Sequence, residues 1–142
     1  MPNHNALTLL GFDFGEKRIG IAVGQSLTGS VTPLTTLSAV KQQPDWAGIE
    51  ALIKEWQPDL LIVGLPLHMD GSEQSLTQRA KRFGNQLKGR YNLPVEWMDE
   101  RLSSHEAESL LREQGKKRSD KKDIDKIAAA LILQSWLEQQ TV

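Results

Sequence analysis

Ala6-Leu7-Thr8-Leu9-Leu10-Gly11-Phe12-Asp13-Phe14-Gly15-Glu16-Lys17-Arg18-Ile19-Gly20-Ile21-Ala22-Val23-Gly24 is the stretch on which the reading of the fold turns. Two apolar runs flank a short polar turn, which is the pattern of a β-hairpin. Asp13 stands out as a carboxylate near the end of an otherwise apolar strand. A charge placed there is costly to bury unless a cation, a metal or several donors compensate it. Gly15 and Gly20 lack a Cβ, so a phosphate or a metal has room to approach the backbone. The plainer alternative is that Asp13 only starts the turn, a position that Asp favours.

Working outward, Val31 to Leu37 is rich in β-branched residues and reads as a third strand, and Pro33, with no N–H, places it at an edge or keeps it short. A helix opens at Pro44-Asp45-Trp46. Its Trp46, Ile49, Leu52, Ile53 and Trp56 recur at helical spacing, and Pro58 ends it. Leu60-Leu61-Ile62-Val63-Gly64 is a continuous apolar run, as expected of a central strand covered on both faces. Strand, helix, strand implies a parallel crossover and therefore an α/β fold. The glycine-bounded loop from Gly64 to Gly71 then lies at the carboxyl end of that strand, where open α/β sheets bind ligands.

Ser72 is the expected cap of the next helix, whose Leu76, Ala80, Phe83 and Leu87 share one face, with Gly89 as its stop. Val95 to Glu100 reads as a further strand that again ends in carboxylates. Ser103 and Glu106 form a capping box for a helix that stops at Gly115. The final helix is expected from about Asp123, with Asp125 in its first turn, where the helix dipole favours a negative charge. Its body, Ile127 to Leu133, is apolar nearly all round and predicts deep burial. No repeat or linker interrupts the pattern, so residues 1–142 are expected to form a single domain.

Composition narrows the chemistry. The chain has 142 residues, of which 39% are hydrophobic and 25% charged, as in ordinary globular proteins. It has no cysteine, which excludes disulfides and Cys-ligated zinc, and its three histidines, His4, His68 and His105, show no metal-ligand spacing. Neither a signal peptide nor an apolar run of membrane-spanning length is present, so the cytoplasm is the default location. The formal net charge of −1 conceals a lopsided distribution: 13 of the 17 basic residues fall between Arg79 and Lys126, against 9 acidic ones. Lys116, Lys117, Arg118, Lys121 and Lys122 crowd into eight residues. Such a run is either a solvated loop or a contact for the phosphate backbone of a nucleic acid, where clustered cations displace counterions.

Three acidic positions share one peculiarity. Asp13 ends the first strand, Asp99-Glu100 ends a later one, and Asp125 opens a buried helix. If these strand ends and the helix start converge, their carboxylates repel one another unless a divalent cation lies between them. Oxygen-only ligands suit Mg²⁺ or Mn²⁺ rather than zinc. Such ions serve phosphodiester cleavage by activating a water and stabilising the leaving oxygen. Each position also has a structural reading of its own, as turn residue, strand end or helix start.

Phe12-Asp13-Phe14-Gly15-Glu16-Lys17-Arg18-Ile19-Gly20, Gly64-Leu65-Pro66, Asp99-Glu100-Arg101-Leu102-Ser103 and Asp125-Lys126-Ile127-Ala128-Ala129 together resemble the motifs of the YqgF (RuvX-like) nucleases, in the same order and over almost the whole chain. The resemblance implies a ribonuclease H-like fold: a mixed five-stranded sheet, its first three strands antiparallel, flanked by helices. It also implies Asp13, Glu100 and Asp125 as catalytic, metal-binding carboxylates for Mg²⁺ or Mn²⁺, Asp125 rather than Asp123 being the one that precedes the Ala-rich helix. Lys17, Arg18 and Arg101 lie within these motifs and join Lys116, Lys117, Arg118, Lys121 and Lys122 as candidate nucleic-acid contacts. His68 stands where Asn is common in the family.

The activity implied is a divalent-metal-dependent endonuclease on structured nucleic acid. The substrate implied first is the 5′ end of precursor small-subunit ribosomal RNA, with a branched DNA junction as the alternative. Symmetric junction cutting would require a homodimer, whereas RNA processing is open to a monomer. Two other classes are weighed against this reading. A non-catalytic nucleic-acid-binding module would bind without cleaving. Asp13-Phe14-Gly15 before a hairpin turn also resembles the phosphate grip of the actin and sugar-kinase superfamily, but those proteins clamp ATP between two domains and 142 residues supply one.

Overall fold

The two apolar runs of the opening stretch pair as an antiparallel hairpin, β1 (Thr8–Phe14) with β2 (Arg18–Gln25), and Asp13 lies opposite Gly20. This is seen in a computed structural model, which describes residues 6–41, 43–99 and 121–140. β3 (Ser30–Ser38) adds antiparallel to β2, while β4 (Leu60–Leu65) and β5 (Val95–Asp99) add in parallel on the other side of β1. The order across the sheet is β3-β2-β1-β4-β5. Pro33 therefore lies on an edge strand, as its missing N–H requires, and it sits where the β2–β3 register shifts. The interior strand β4 is buried from Leu60 to Gly64. Its continuous apolar run follows from cover on both faces.

The two faces are sorted by strand alternation. Leu10, Phe12 and Phe14 of β1, Ile19, Ile21 and Val23 of β2, and Leu61 and Val63 of β4 point to one side. There they meet α1 (Trp46–Trp56) and α2 (Ser75–Tyr91). Phe83 is the hub of this layer, with ring centroids 5.6 Å from Phe12, 5.0 Å from Phe14 and 5.6 Å from Trp46. Leu9, Ala22, Leu60 and Ile62 point to the other side and pack on α3 (Lys121–Gln140) through Ala129, Ile132, Leu133 and Trp136. The small residues of the hairpin set how close α3 comes. A Cβ on Gly11 would lie 3.0 Å from Leu133 Cδ2 and 3.1 Å from the carbonyl oxygen of Ala129.

Helix ends depart from the sequence reading at several points. α1 begins and stops as expected: the Asp45 carboxylate accepts from the Gly48 amide at 2.9 Å, and Gln57 turns left-handed just before Pro58. Ser72 does not cap α2. Asp70 captures it, accepting from the Ser72 amide at 2.8 Å and the Ser72 hydroxyl at 2.6 Å, and the turn so closed keeps Ser72 outside the helix. The N-cap is Gln74, which shares a reciprocal capping box with Thr77. Nor does Gly89 end α2. The helix runs through it to Tyr91, and Asn92 supplies the left-handed residue that closes it. The capping box at Ser103 and Glu106 lies outside the described residues. Among the described residues, no helix is long and apolar enough to cross a membrane.

Candidate active site

Residues directly opposite in an antiparallel pair share a face, so Asp13 and Gly20 point the same way. The space that a side chain at Gly20 would fill is taken by the backbone of α3. A Cβ there would run into the Asp125 carbonyl group and lie 2.8 Å from the amide nitrogen of Lys126. Asp13 on β1 and Asp125 on α3 are thus brought to one patch of the sheet by the bare backbone between them. Asp13 is half-buried, and so is Asp125.

Arg18 lies two residues before Gly20 and so on the same face of β2. Its Nε donates to Asp125 Oδ2 at 2.8 Å, with 29% of the Arg18 side chain and 20% of the Asp125 side chain exposed. The strand delivers Arg18 beside α3, where it meets a carboxylate of the same chain. Asp125 is the fifth residue of α3, beyond the first turn, and its charge is met by the guanidinium. Gly20 also serves a different end from the one read in the sequence: its missing Cβ admits a helix backbone. At Gly15 a Cβ would lie 2.8 Å from the Arg18 carbonyl oxygen, so that glycine serves the closeness of the turn.

β5 brings a further carboxylate to the α3 side. Glu96 Oε1 accepts from the Trp136 indole N–H at 3.0 Å, and Met98, two residues on, packs in the same layer. Glu100, Arg101, Lys116, Lys117 and Arg118 lie outside the described residues. Lys121 and Lys122 begin α3, and their side chains are likewise outside the description. Lys17 is exposed on the β1–β2 turn. Among the described residues no three His, Asp or Glu gather as a metal site.

The loop after β4 is tied down from α2. The Thr77 hydroxyl, fully buried, donates to the Pro66 carbonyl and accepts from the Gln74 amide at 3.0 Å. Further along, the hydroxyl and then the amide of Ser72 hold the Asp70 carboxyl below its ordinary value of 3.8. Lys81, 2.7 Å from Glu73, likewise holds the Glu73 carboxyl below its ordinary value.

Sequence reading passed over a second polar feature, on the α2 side. Arg79 pairs with Glu16 of the β1–β2 turn at 2.8 Å, and Arg79, Arg82 and Lys41 line a cavity of about 200 Å³. One signal was available: Ser75 to Tyr91 carries five basic residues and no acidic one.

Known proteins share both chain and fold. A family model described as RuvX, Holliday junction resolvase, matches residues 7–139. A "Putative pre-16S rRNA nuclease" of Nitrosococcus oceani is 57% identical over 135 residues, covering 94% of this chain and 89% of that one. A protein of the same name from Saccharophagus degradans is 56% identical over 133 residues, covering 93% and 94%. Among solved structures, RuvC of T. thermophilus in complex with a Holliday junction substrate superposes with a TM-score of 0.58 at 14% identity, over 94% of this chain and 95% of that one. The Fowlpox virus resolvase, solved with Holliday junction DNA, gives 0.61 at 12% identity, over 96% and 100%. At such identities the likeness speaks for the fold, a ribonuclease H-like one with its first three strands antiparallel. The family match runs from β1 to α3, taking in both strands of the hairpin and the helix that brings Asp125 to Asp13, and the chain belongs to the RuvX family of nucleases.

Proposed function

We propose that this protein is a divalent-metal-dependent endonuclease that processes the 5′ end of precursor 16S ribosomal RNA. The observation that carries the reading is the meeting of Asp13 and Asp125 across Gly20, two carboxylates far apart in sequence on one face at the carboxyl end of β1. The donor set fits a hard cation, since both groups offer only carboxylate oxygen. Glu100 completes the set in this reading. It follows Met98 by two positions, and Met98 belongs to the layer that faces α3. Asp13, Glu100 and Asp125 would hold Mg²⁺ or Mn²⁺, and the bound ions supply an activated water and stabilisation of the leaving oxygen. Arg18 holds one oxygen of Asp125 and offsets its charge beside Asp13. Lys17, Arg101, Lys116, Lys117, Arg118, Lys121 and Lys122 are assigned to substrate phosphates, in keeping with the basic run before α3.

The substrate rests on the names of the relatives at 56–57% identity. The description of the family model favours a second substrate, a four-way DNA junction cut by a homodimer. Cleavage of a precursor 16S rRNA fragment and of a four-way junction, compared at equal salt and Mg²⁺, separates the two. RNA cut at the mature 5′ end, with the junction left intact, is the expected result. An Asp13→Asn protein that binds the RNA and no longer cuts it separates an enzyme from a binding module.

A further inference from the structure

We infer that the cavity between α2 and the β3–α1 connection is a second phosphate site, which grips the backbone of the nucleic-acid substrate beside the scissile bond and on the opposite face of the sheet from Asp13. The inference rests on the nuclease reading above and names residues to which that reading gives no role. Phe14 and Phe83 line the cavity with apolar surface, while Lys41, Arg79 and Arg82 line it with charge, and the amides of Gln43 and Gln86 add neutral donors. Its volume of about 200 Å³ admits a phosphate group together with water, each water occupying about 30 Å³.

The balance of charge within the cavity is one-sided. Arg79 is offset by Glu16, but Lys41 and Arg82 have no ion-pair partner among the described residues. Cations gathered around a concave surface focus positive potential into it. The mouth is also built for presentation. Val40 and Gln43 exchange backbone hydrogen bonds of 3.0 and 2.9 Å, and Lys41 within that turn has φ of 51°. These two bonds hold Lys41 at the edge of the cavity.

Position supplies the link to substrate. Phe14 follows Asp13 directly, and alternation along β1 sends the two side chains to opposite faces. The cavity and the Asp13–Asp125 patch therefore flank one end of one strand. The Arg79–Glu16 pair fastens α2 to the turn between them. A strand of nucleic acid that crosses the carboxyl end of the sheet with one phosphodiester at Asp13 can bring a phosphodiester further along its backbone to Arg82 and Lys41.

The test is a Lys41→Gln/Arg82→Gln protein, both residues being exposed and outside the metal-binding set. Binding is read in an Asp13→Asn background with a labelled precursor 16S rRNA fragment and, separately, a four-way DNA junction, over a range of salt. Cleavage constants are read in the otherwise wild-type protein. The expected result is a rise in Kd and KM of about tenfold with kcat nearly unchanged. The salt slope should fall by about 0.7 for each single-strand phosphate that the two cations no longer neutralise. An unchanged thermal midpoint shows that the fold is retained. Weakened binding to the junction alone, in a protein that ignores the RNA, supports the cavity while overturning the RNA reading. Unchanged affinity and slope on whichever nucleic acid the parent binds overturns the cavity. So does a protein that binds neither nucleic acid. Arg82 resonances that shift with inorganic phosphate, in a protein whose nucleic-acid affinity ignores the double substitution, would mark a site for free phosphate and also overturn the proposal.

Discussion

One oxygen of Asp125 is already taken, by Arg18 Nε at 2.8 Å. Asp13→Asn and Asp125→Asn should each abolish cleavage. Asp13→Asn removes a like charge from the patch, so metal-free stability should hold or rise. Asp125→Asn also removes the partner of Arg18, so stability should fall, by about 1 kcal/mol for a partly exposed, charge-assisted pair. Denaturant titration in EDTA reads the change, and an unchanged midpoint in Asp125→Asn would contradict the ion pair. Arg18→Gln should cost a similar amount without metal. It should also enlarge the rise in melting temperature on adding Mg²⁺, because a cation competing for Asp125 is gone. A smaller rise would mean that Arg18 orients the carboxylate for the metal. At Asp70 the consequence is one of pH. A carboxyl held below its ordinary value in the folded chain adds stability above the unfolded value, and that is lost as pH falls through the folded one. The Asp70 carboxyl should titrate below 3.8 by NMR and return toward it in Ser72→Ala.

Between strand and helix, the two glycine types make opposite forecasts. Gly20→Ala drives a Cβ into the backbone of α3 at Asp125, and backbone cannot rotate aside as a side chain does. A loss of about 3 kcal/mol or more is expected, with cleavage lost as Asp125 shifts away from Asp13. Gly89→Ala, in a helix with nothing within 4 Å of the new methyl, should gain roughly 0.5–1 kcal/mol. Thermal melts of the two proteins settle the contrast, and a tolerated Gly20→Ala would refute the close approach. The strands, the opening hairpin and the parallel crossover could be read from the chain, because apolar runs, turn residues and Pro33 act locally, while the direction of the third strand came from the family resemblance. Asp13 could be singled out for the same reason, as a charge in an apolar strand. Gly20 was legible as an open place but not as a seat for α3, since nothing local says which element will arrive. Ser72 and Gly89 misled because capping is a competition. Asp70 took the serine, and a glycine on an exposed helix face lets the next good left-handed residue, Asn92, end the helix.

For the molecule as a whole, net charge of −1 is a poor guide to its partners, because the cations are segregated toward Arg79–Lys126. Affinity for nucleic acid should fall steeply with salt. Replacing Lys116, Lys117, Arg118, Lys121 and Lys122 with Gln should flatten that slope by up to about 0.7 per phosphate released on a single strand, while kcat at saturation falls far less than in the carboxylate variants. An unchanged slope would assign those cations to solvent. The seating of α3 on the opening hairpin has a consequence in time. Arg18 and Asp125 are 107 residues apart, so at cellular rates of synthesis roughly 5–20 s separate their appearance. Until α3 arrives, the nascent chain shows Leu9, Ala22 and Ile62 uncovered and lacks Asp125. On the nuclease reading, a chain that still lacks α3 should therefore not cut. A fragment of residues 1–120 should accordingly cut nothing and associate through its bare face, until residues 121–142 are supplied as a separate peptide.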